Sequence, residues 1–315
     1  MIDPMYVYNL YDIDSANKYT AGEVLGEGAF GKVRLGIDKS TGEKVAMKYV
    51  KVISRERIIP KAVFREIEAL RQLSDSNKSI VRLHDVFAHE TDICLVMEYV
   101  ESDLSVVISS AQSQIPIRFV KTYLYMILEA VCYCHNKGLV HRDLKPSNVL
   151  INSYGQIKLG DFGLARTLQE TVGVSEATVL VGKRETLSHQ IATRWYRAPE
   201  LLFAARHYGY GVDIWAVGAI LGELFSLQPL FPGTSDIDQI YRVLSIMGTP
   251  TETYWPDAFD LPDYSKIIFP LMEPLNMHLL FPHVSEADLN FLLLLLKLDP
   301  KERVTAGDVS IHCQW

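Results

Sequence analysis

The sequence predicts an α+β protein of two lobes: a small β-rich N-lobe with one key helix, then a larger α-helical C-lobe. Three observations carry that expectation. The 315 residues amount to about two domains at roughly 150 residues each. From Tyr19 to about Met97, short runs of strand-forming residues dominate. After Asp103 the apolar stretches lengthen to helical size, as in Phe119 to Asn136 and Val212 to Phe225.

Taken in order, Lys32 to Ile37 and Lys44 to Val50 alternate apolar with polar residues and flank Asp38-Lys39-Ser40-Thr41-Gly42, a turn-forming cluster. A helix is expected from about Pro60 to Leu73, since proline is tolerated at a helix start. Ile93 to Met97 reads as a further strand, and the polar Glu101-Ser102-Asp103 as a hinge. The longest apolar run, Phe291 to Leu296, stops at Lys297. That is short of the roughly 20 residues a bilayer requires, so it reads as a buried helix. The expected divisions are an N-terminal extension 1–18, an N-lobe 19–100, a hinge 101–103 and a C-lobe 104–315.

Composition excludes several classes. With 48% apolar and 22% charged residues the chain can bury a core, unlike a disordered one. A net charge of −7 argues against a dedicated nucleic-acid binder. Four cysteines make no disulfide scaffold, and Cys132 with Cys134 lacks a second close pair for zinc. Met1 to Tyr19 carries three aspartates and no early basic cluster, unlike a targeting peptide. The expectation is an intracellular protein, cytoplasmic and/or nuclear, with neither nucleic acid nor membrane as partner.

Gly26-Glu27-Gly28-Ala29-Phe30-Gly31 is a G-x-G-x-x-G run. Glycines permit positive φ and let backbone N–H groups approach phosphates. The run is followed by an alternating strand rather than a helix, so it links antiparallel strands and is not a dinucleotide fingerprint. No Gly-Lys-Ser/Thr follows, which excludes a Walker loop. By itself such a loop is open to a second reading, a tight hairpin that binds nothing.

Val45-Ala46-Met47-Lys48 places a lysine inside an apolar strand, where an unpaired charge is costly. On the helix 60–73, Ala62, Glu66, Ala69 and Leu73 share one face, and Glu66 is its charged member. A Lys48–Glu66 pair that also orients nucleotide phosphates accounts for both. Further on, His141-Arg142-Asp143-Leu144-Lys145-Pro146-Ser147-Asn148 precedes Asp161-Phe162-Gly163. Phosphoryl transfer demands positioning and charge neutralisation. Asp143 can orient an attacking hydroxyl and accept its proton, and Lys145 can reach the transferred phosphate. Asn148 and Asp161 supply hard oxygen ligands for Mg2+.

With these motifs in this order, the chain resembles the eukaryotic protein kinase family from about Tyr19 to Trp315. Ala198-Pro199-Glu200, Asp213-Ile214-Trp215-Ala216-Val217-Gly218 and Arg303 extend the match. The resemblance implies a bilobal protein kinase fold that uses ATP and Mg2+ in a shared cleft, and a buried Glu200–Arg303 ion pair. It implies Met97 as gatekeeper, adenine held by backbone groups of Glu98 and Val100, and a purine sandwiched by Ala46 and Leu150 with Val33 above. Leu25, Gly26, Gly28, Gly31 and Asp103 complete the implied nucleotide contacts. Lys48, Glu66, Asp143, Lys145 and Thr193 complete the implied catalytic set. Lys145 is the residue type of serine/threonine kinases.

Thr193 to Glu200, Leu230-Phe231-Pro232-Gly233 and Gly248-Thr249-Pro250 resemble the branch of cyclin-dependent and mitogen-activated kinases, which implies substrates with proline after the Ser/Thr. Pro60 to Glu66 lies in the register of a cyclin-binding helix, implying a cyclin-like activating subunit at helix 60–73. Ser188-His189-Gln190 lacks the tyrosine of a Thr-x-Tyr motif, so the chain is most similar to the cyclin-dependent, cell-cycle-related type. Ser188 takes the place of an activating phosphothreonine, with Arg65, Arg142 and Arg166 at the matching clamp positions and an upstream kinase implied. Ala29-Phe30 replaces an inhibitory Thr-Tyr pair, and the activation segment 161–200 carries an insert at 171–186. A mitogen-activated-type kinase and a catalytically silent scaffold are the alternatives. A silent scaffold would normally have lost Lys48, Asp143 or Asp161, and all three are present.

Overall fold

The structure is a computed structural model and describes residues 17–28, 31–51, 61–73, 77–89, 92–168 and 194–312. The chain divides into two compact units, Met1–Glu101 with Gly160–Leu164, and Ser102–Leu159 with Ala165–Trp315.

The first unit is built on an antiparallel sheet of order β1-β2-β3-β5-β4. Its strands are β1 (Tyr19–Gly28), β2 (Gly31–Asp38), β3 (Lys44–Lys51), β4 (Leu83–His89) and β5 (Asp92–Glu98). Helix α1 (Lys61–Leu73) supplies the second layer; Pro60, the expected start, lies outside the described residues. Alternation along β3 splits the core in two. Val50 packs with Ile93 and Leu95 against Val63 and Ile67 of α1, while Val45 and Met47 pack with Tyr19, Phe87 and Cys94. The β2–β3 turn forms as its residues dictate: Asp38 Oδ1 accepts from Ser40 N at 2.8 Å, and Gly42 takes φ 74°.

The second unit opens with β6 (Ser102–Asp103), a strand paired to β8 (Val149–Ile151), which pairs in turn to β9 (Ile157–Leu159). Ser102 and Asp103 read as hinge from sequence, because a two-residue strand leaves no periodic trace. Asp103 Oδ1 also caps α2 (Leu104–Ser110) by accepting from Ser105 N and Val106 N. Helix α3 (Ile117–Asn136) starts two residues before its expected limit, with Pro116 as its N-cap. Strands β7 (Leu139–Val140) and β10 (Arg166–Thr167) pair, and the short α4 (Pro199–Leu202) precedes α5 (Gly211–Ser226). Then come α6 (Asp236–Met247), α7 (Met277–Leu280), α8 (Glu286–Leu295) and α9 (Ala306–His312). The apolar run from Phe291 forms the end of α8, where Phe291, Leu292 and Leu295 are buried and Leu294 is exposed. Among the described residues no helix is long and apolar enough to cross a membrane.

Helix α5 is buried from Val212 through Phe225, Asp213 and Glu223 included. Beside it the expected Glu200–Arg303 pair forms with paired contacts of 2.6 and 2.7 Å. Arg303 also donates to the carbonyls of Lys297, Leu298 and Gly211, so its fork is fully used. Removing one partner of such a pair strands a buried charge, which costs about 3–5 kcal/mol. Glu200→Leu is therefore expected to lower the unfolding free energy by about that amount in urea titration. A loss below about 1 kcal/mol, the scale of a surface pair, would show that the pair anchors nothing.

Candidate active site

In the first unit, the sheet register puts Val33 opposite Lys48 and Ala46 opposite Met97, so these four share the face that meets α1. Lys48 Nζ lies 2.7 and 2.9 Å from the two Glu66 carboxylate oxygens and 3.2 Å from Asp161 Oδ1. The pair expected from sequence exists, and Asp161, whose segment Gly160–Leu164 falls in the same unit, joins it. Burial works against the charge on Lys48, but Asp161 and Glu66 outweigh it and raise its pKa. Burial raises Glu66, and Asp161 adds to that, beyond what Lys48 pulls down. Two carboxylates thus share one ammonium.

Of the three loop glycines, Gly31 is the one with positive φ, at 149°. A Cβ there would lie 1.7 Å from Tyr49 O. A Cβ on Gly26 would meet nothing within 4 Å, which leaves an open backbone face at β1. Leu25 is exposed on β1, and Val100 is half-buried after β5. Glu98 N donates to Arg82 O at 2.8 Å, so that N–H is already spent.

In the second unit, Asp143, Lys145 and Asn148 form one buried cluster. Lys145 Nζ lies 2.9 Å from Asp143 Oδ2. Asn148 Nδ2 donates to Asp143 O at 2.7 Å and to Oδ2 at 3.1 Å, which turns its own Oδ1 outward from that contact. Asp143 Oδ1 is buried and accepts from no described residue. Leu150 sits half-buried on β8, paired with Asp103.

Sequence alone assigns no role to Asp213, which holds this loop. Its Oδ2 accepts from His141 N at 2.8 Å and faces His135 Nε2 at 2.9 Å; its Oδ1 accepts from Arg142 N at 2.8 Å. Burial alone would raise its pKa, yet the His135 hydrogen bond and charge and the His141 and Arg142 contacts hold it below the usual carboxylate range. An acid inside a buried and mostly apolar helix is the signal that could have found it. Arg142, next to these bonds, takes φ 70°, and Asp161 takes φ 56°; both are left-handed non-glycine residues, a strain that needs such fixing.

Arg142 stands over the Tyr208 ring at 5.1 Å. Its Nε is buried and has no partner among the described residues. Burial lowers its pKa and the charges of Arg166 and Arg197 lower it further, against Tyr208 and Asp213. Two of the three expected clamp residues, Arg142 and Arg166, thus come together with Arg197, which the Thr193–Glu200 motif contains but to which it gives no clamp role. Arg65 is carried by α1 in the first unit. Ser188, Thr193, Ala29-Phe30 and the insert 171–186 lie outside the described residues.

Residues 19–315 match the family described as protein kinase domain. The chain is 44% identical over 288 residues to cyclin-dependent kinase 20 of Danio rerio, covering 91% of this chain and 80% of that protein. The Homo sapiens protein of that name is 43% identical over the same shares. Cyclin-dependent kinase D-1 of Oryza sativa subsp. japonica is 39% identical over 297 residues, 94% of this chain and 66% of that protein.

The shared ammonium makes a pH prediction. In Lys48→Met, Glu66 and Asp161 lose the ammonium that they share, so a carboxyl pKa already raised in the folded state rises further. The native state then holds a proton that the unfolded state releases near pH 4, and stability declines as pH rises through that window. Urea unfolding at pH 4.5 and 7.5 should show a steeper loss for Lys48→Met than for the parent, and Lys48→Met with Glu66→Gln should remove the excess. Parallel slopes would refute the shared-charge account.

Proposed function

The chain belongs to the protein kinase family, as a serine/threonine protein kinase of the cyclin-dependent kinase-like branch, and from that we propose which of its residues carry transfer of the ATP γ-phosphate to a protein hydroxyl. The observation that carries the assignment is the split environment of Asp143. One carboxylate oxygen is neutralised by Lys145 and held by Asn148, while the other is buried without a donor among the described residues. That orphaned oxygen is the acceptor for a substrate Ser or Thr hydroxyl proton. Lys145, paired to Oδ2 of the same carboxylate, balances charge on the transferred group.

The residues present fit the nucleotide and its metal. The open face at Gly26 admits a phosphate close to the backbone. Gly28 and Gly31 complete that loop, and Leu25, Val33, Ala46, Met97, Val100, Asp103 and Leu150 are the proposed contacts to base and ribose. Glu98 meets the purine through its carbonyl, its N–H being committed to Arg82. Lys48, fixed by Glu66, orients phosphates. Asn148 Oδ1 and Asp161 are the Mg2+ ligands. Among the described residues no three His, Cys, Asp or Glu side chains gather as a metal site. That suits an ion that takes one or two protein oxygens and completes its shell with phosphate and water.

Regulation follows the same residues. Phosphorylated Ser188 is the dianion proposed for the Arg142–Arg166 cluster, with Arg65 as third clamp and an upstream kinase as its source. The support is the buried Arg142 Nε without a partner among the described residues, beside two further guanidinium groups. A cyclin-like subunit is proposed to set helix α1, which carries Glu66. Proline after the target residue, and a catalytic part for Thr193, rest on the Thr193–Glu200 motif.

Phosphorylation of a Ser-Pro peptide with Mg-ATP, with and without a cyclin-type subunit, tests the assignment. Asp143→Asn should lower turnover by about 10²–10⁴-fold, the range for a positioned acid or base, and chelating the metal should abolish it. Ser188→Ala should lower turnover, and a Ser-Ala peptide should be a poorer substrate. Undiminished rates in Asp143→Asn would overturn the catalytic assignment; undiminished rates in Ser188→Ala would overturn the regulatory one.

A further inference from the structure

The second unit holds a cavity of about 370 Å³ between the first half of α3, the C-terminal end of α5 and α8, and none of its lining residues belongs to the site described above. Small-molecule sites span about 300–1,000 Å³ and are mostly apolar with a few polar groups at defined places. This one follows that pattern. Leu124, Leu221, Phe225 and Phe291 line it and are buried, while Ile117 and Tyr125, each 44% exposed, leave apolar surface open to solvent.

Its charged groups are unevenly balanced. Asp288 is buried and ion-paired to Lys121 at 3.0 Å, and it also accepts from Ser285 Oγ at 2.7 Å, so its charge is met. Arg118, on the first turn of α3, is exposed and lies 4.8 Å over the Phe119 ring, a contact that leaves its charge in place. That first turn has no acidic residue, and Pro116 offers no side-chain cap. A cation beside the positive end of a helix is unfavourable on its own and is relieved by an anion.

We propose that this cavity binds a small amphipathic carboxylate, with its apolar body against Leu124, Phe225 and Phe291 and its carboxylate at the Arg118 mouth. The apolar wall supplies affinity through burial, and the surplus cation selects the sign of the head group. A neutral alcohol of equal length shares the first term only, and a quaternary ammonium opposes the second.

Decanoate and 1-decanol, titrated calorimetrically into the full chain below their aggregation concentrations, test this. Decanoate should bind saturably at one site, about tenfold more tightly than decanol, the ratio expected for about 1.4 kcal/mol from the head group. Arg118→Glu should weaken decanoate about tenfold and leave decanol unchanged, while Ile117→Trp or Thr122→Trp at the exposed rim should weaken both. Thermal unfolding of each variant confirms that it is folded. No saturable binding of decanoate, or binding that survives both rim substitutions, overturns the site. Equal binding of the two probes, or indifference to Arg118→Glu, overturns the carboxylate assignment.

Discussion

A charge taken out of water must be met by another charge or by hydrogen bonds, and this constraint organises both units. Asp213 satisfies it in helix α5 by drawing the backbone of His141 and Arg142 onto its carboxylate. Lys48 satisfies it by bringing together Glu66 and Asp161, residues far apart in sequence. Arg303 satisfies it by spending every donor on Glu200 and three carbonyls. Each solution fixes a loop or a helix that apolar packing alone would hold only loosely.

Two exceptions to the same rule fall at residues that the proposed function uses. Asp143 Oδ1 and Arg142 Nε are buried without partners among the described residues, one an acceptor and one a donor. In a folded chain such atoms are few, and each is costly unless something else completes it. Under the proposed function, an incoming hydroxyl completes the first and an anion completes the second. The neighbouring residues are built to hold these atoms open: Lys145 and Asn148 occupy the other side of Asp143, and Arg142 is kept in a left-handed conformation beside Asp213.

Much of the site is legible in the order of its residues. Lys48 and Glu66 each break an apolar pattern, and spacing along the helix pairs them. Asp143, Lys145, Asn148 and Asp161 are legible as motifs because the chemistry of phosphoryl transfer admits few residue types in those places. Less legible are the groups that act by holding others. Asp213 is visible as part of a motif but without a role, since the backbone N–H groups it accepts from have no sequence signature. Arg197 and Tyr208 join Arg142 only through folding. Ser102 and Asp103, polar and brief, give no sign that they pair with β8.

Residue order and type alone settled the broad outcome: a β-rich part and a helical part, a phosphoryl-transfer chemistry, and kinship with serine/threonine kinases. Periodicity and side-chain chemistry are local properties, and a sequence records them directly. Tertiary structure alone decided which carboxylate oxygen of Asp143 stays open, that Gly31 and not Gly26 requires its positive φ, and that Asp161 shares the ammonium of Lys48. Those outcomes depend on distances between atoms that neighbour each other only after folding, where burial makes a hydrogen bond's presence or absence matter by kilocalories rather than by tenths.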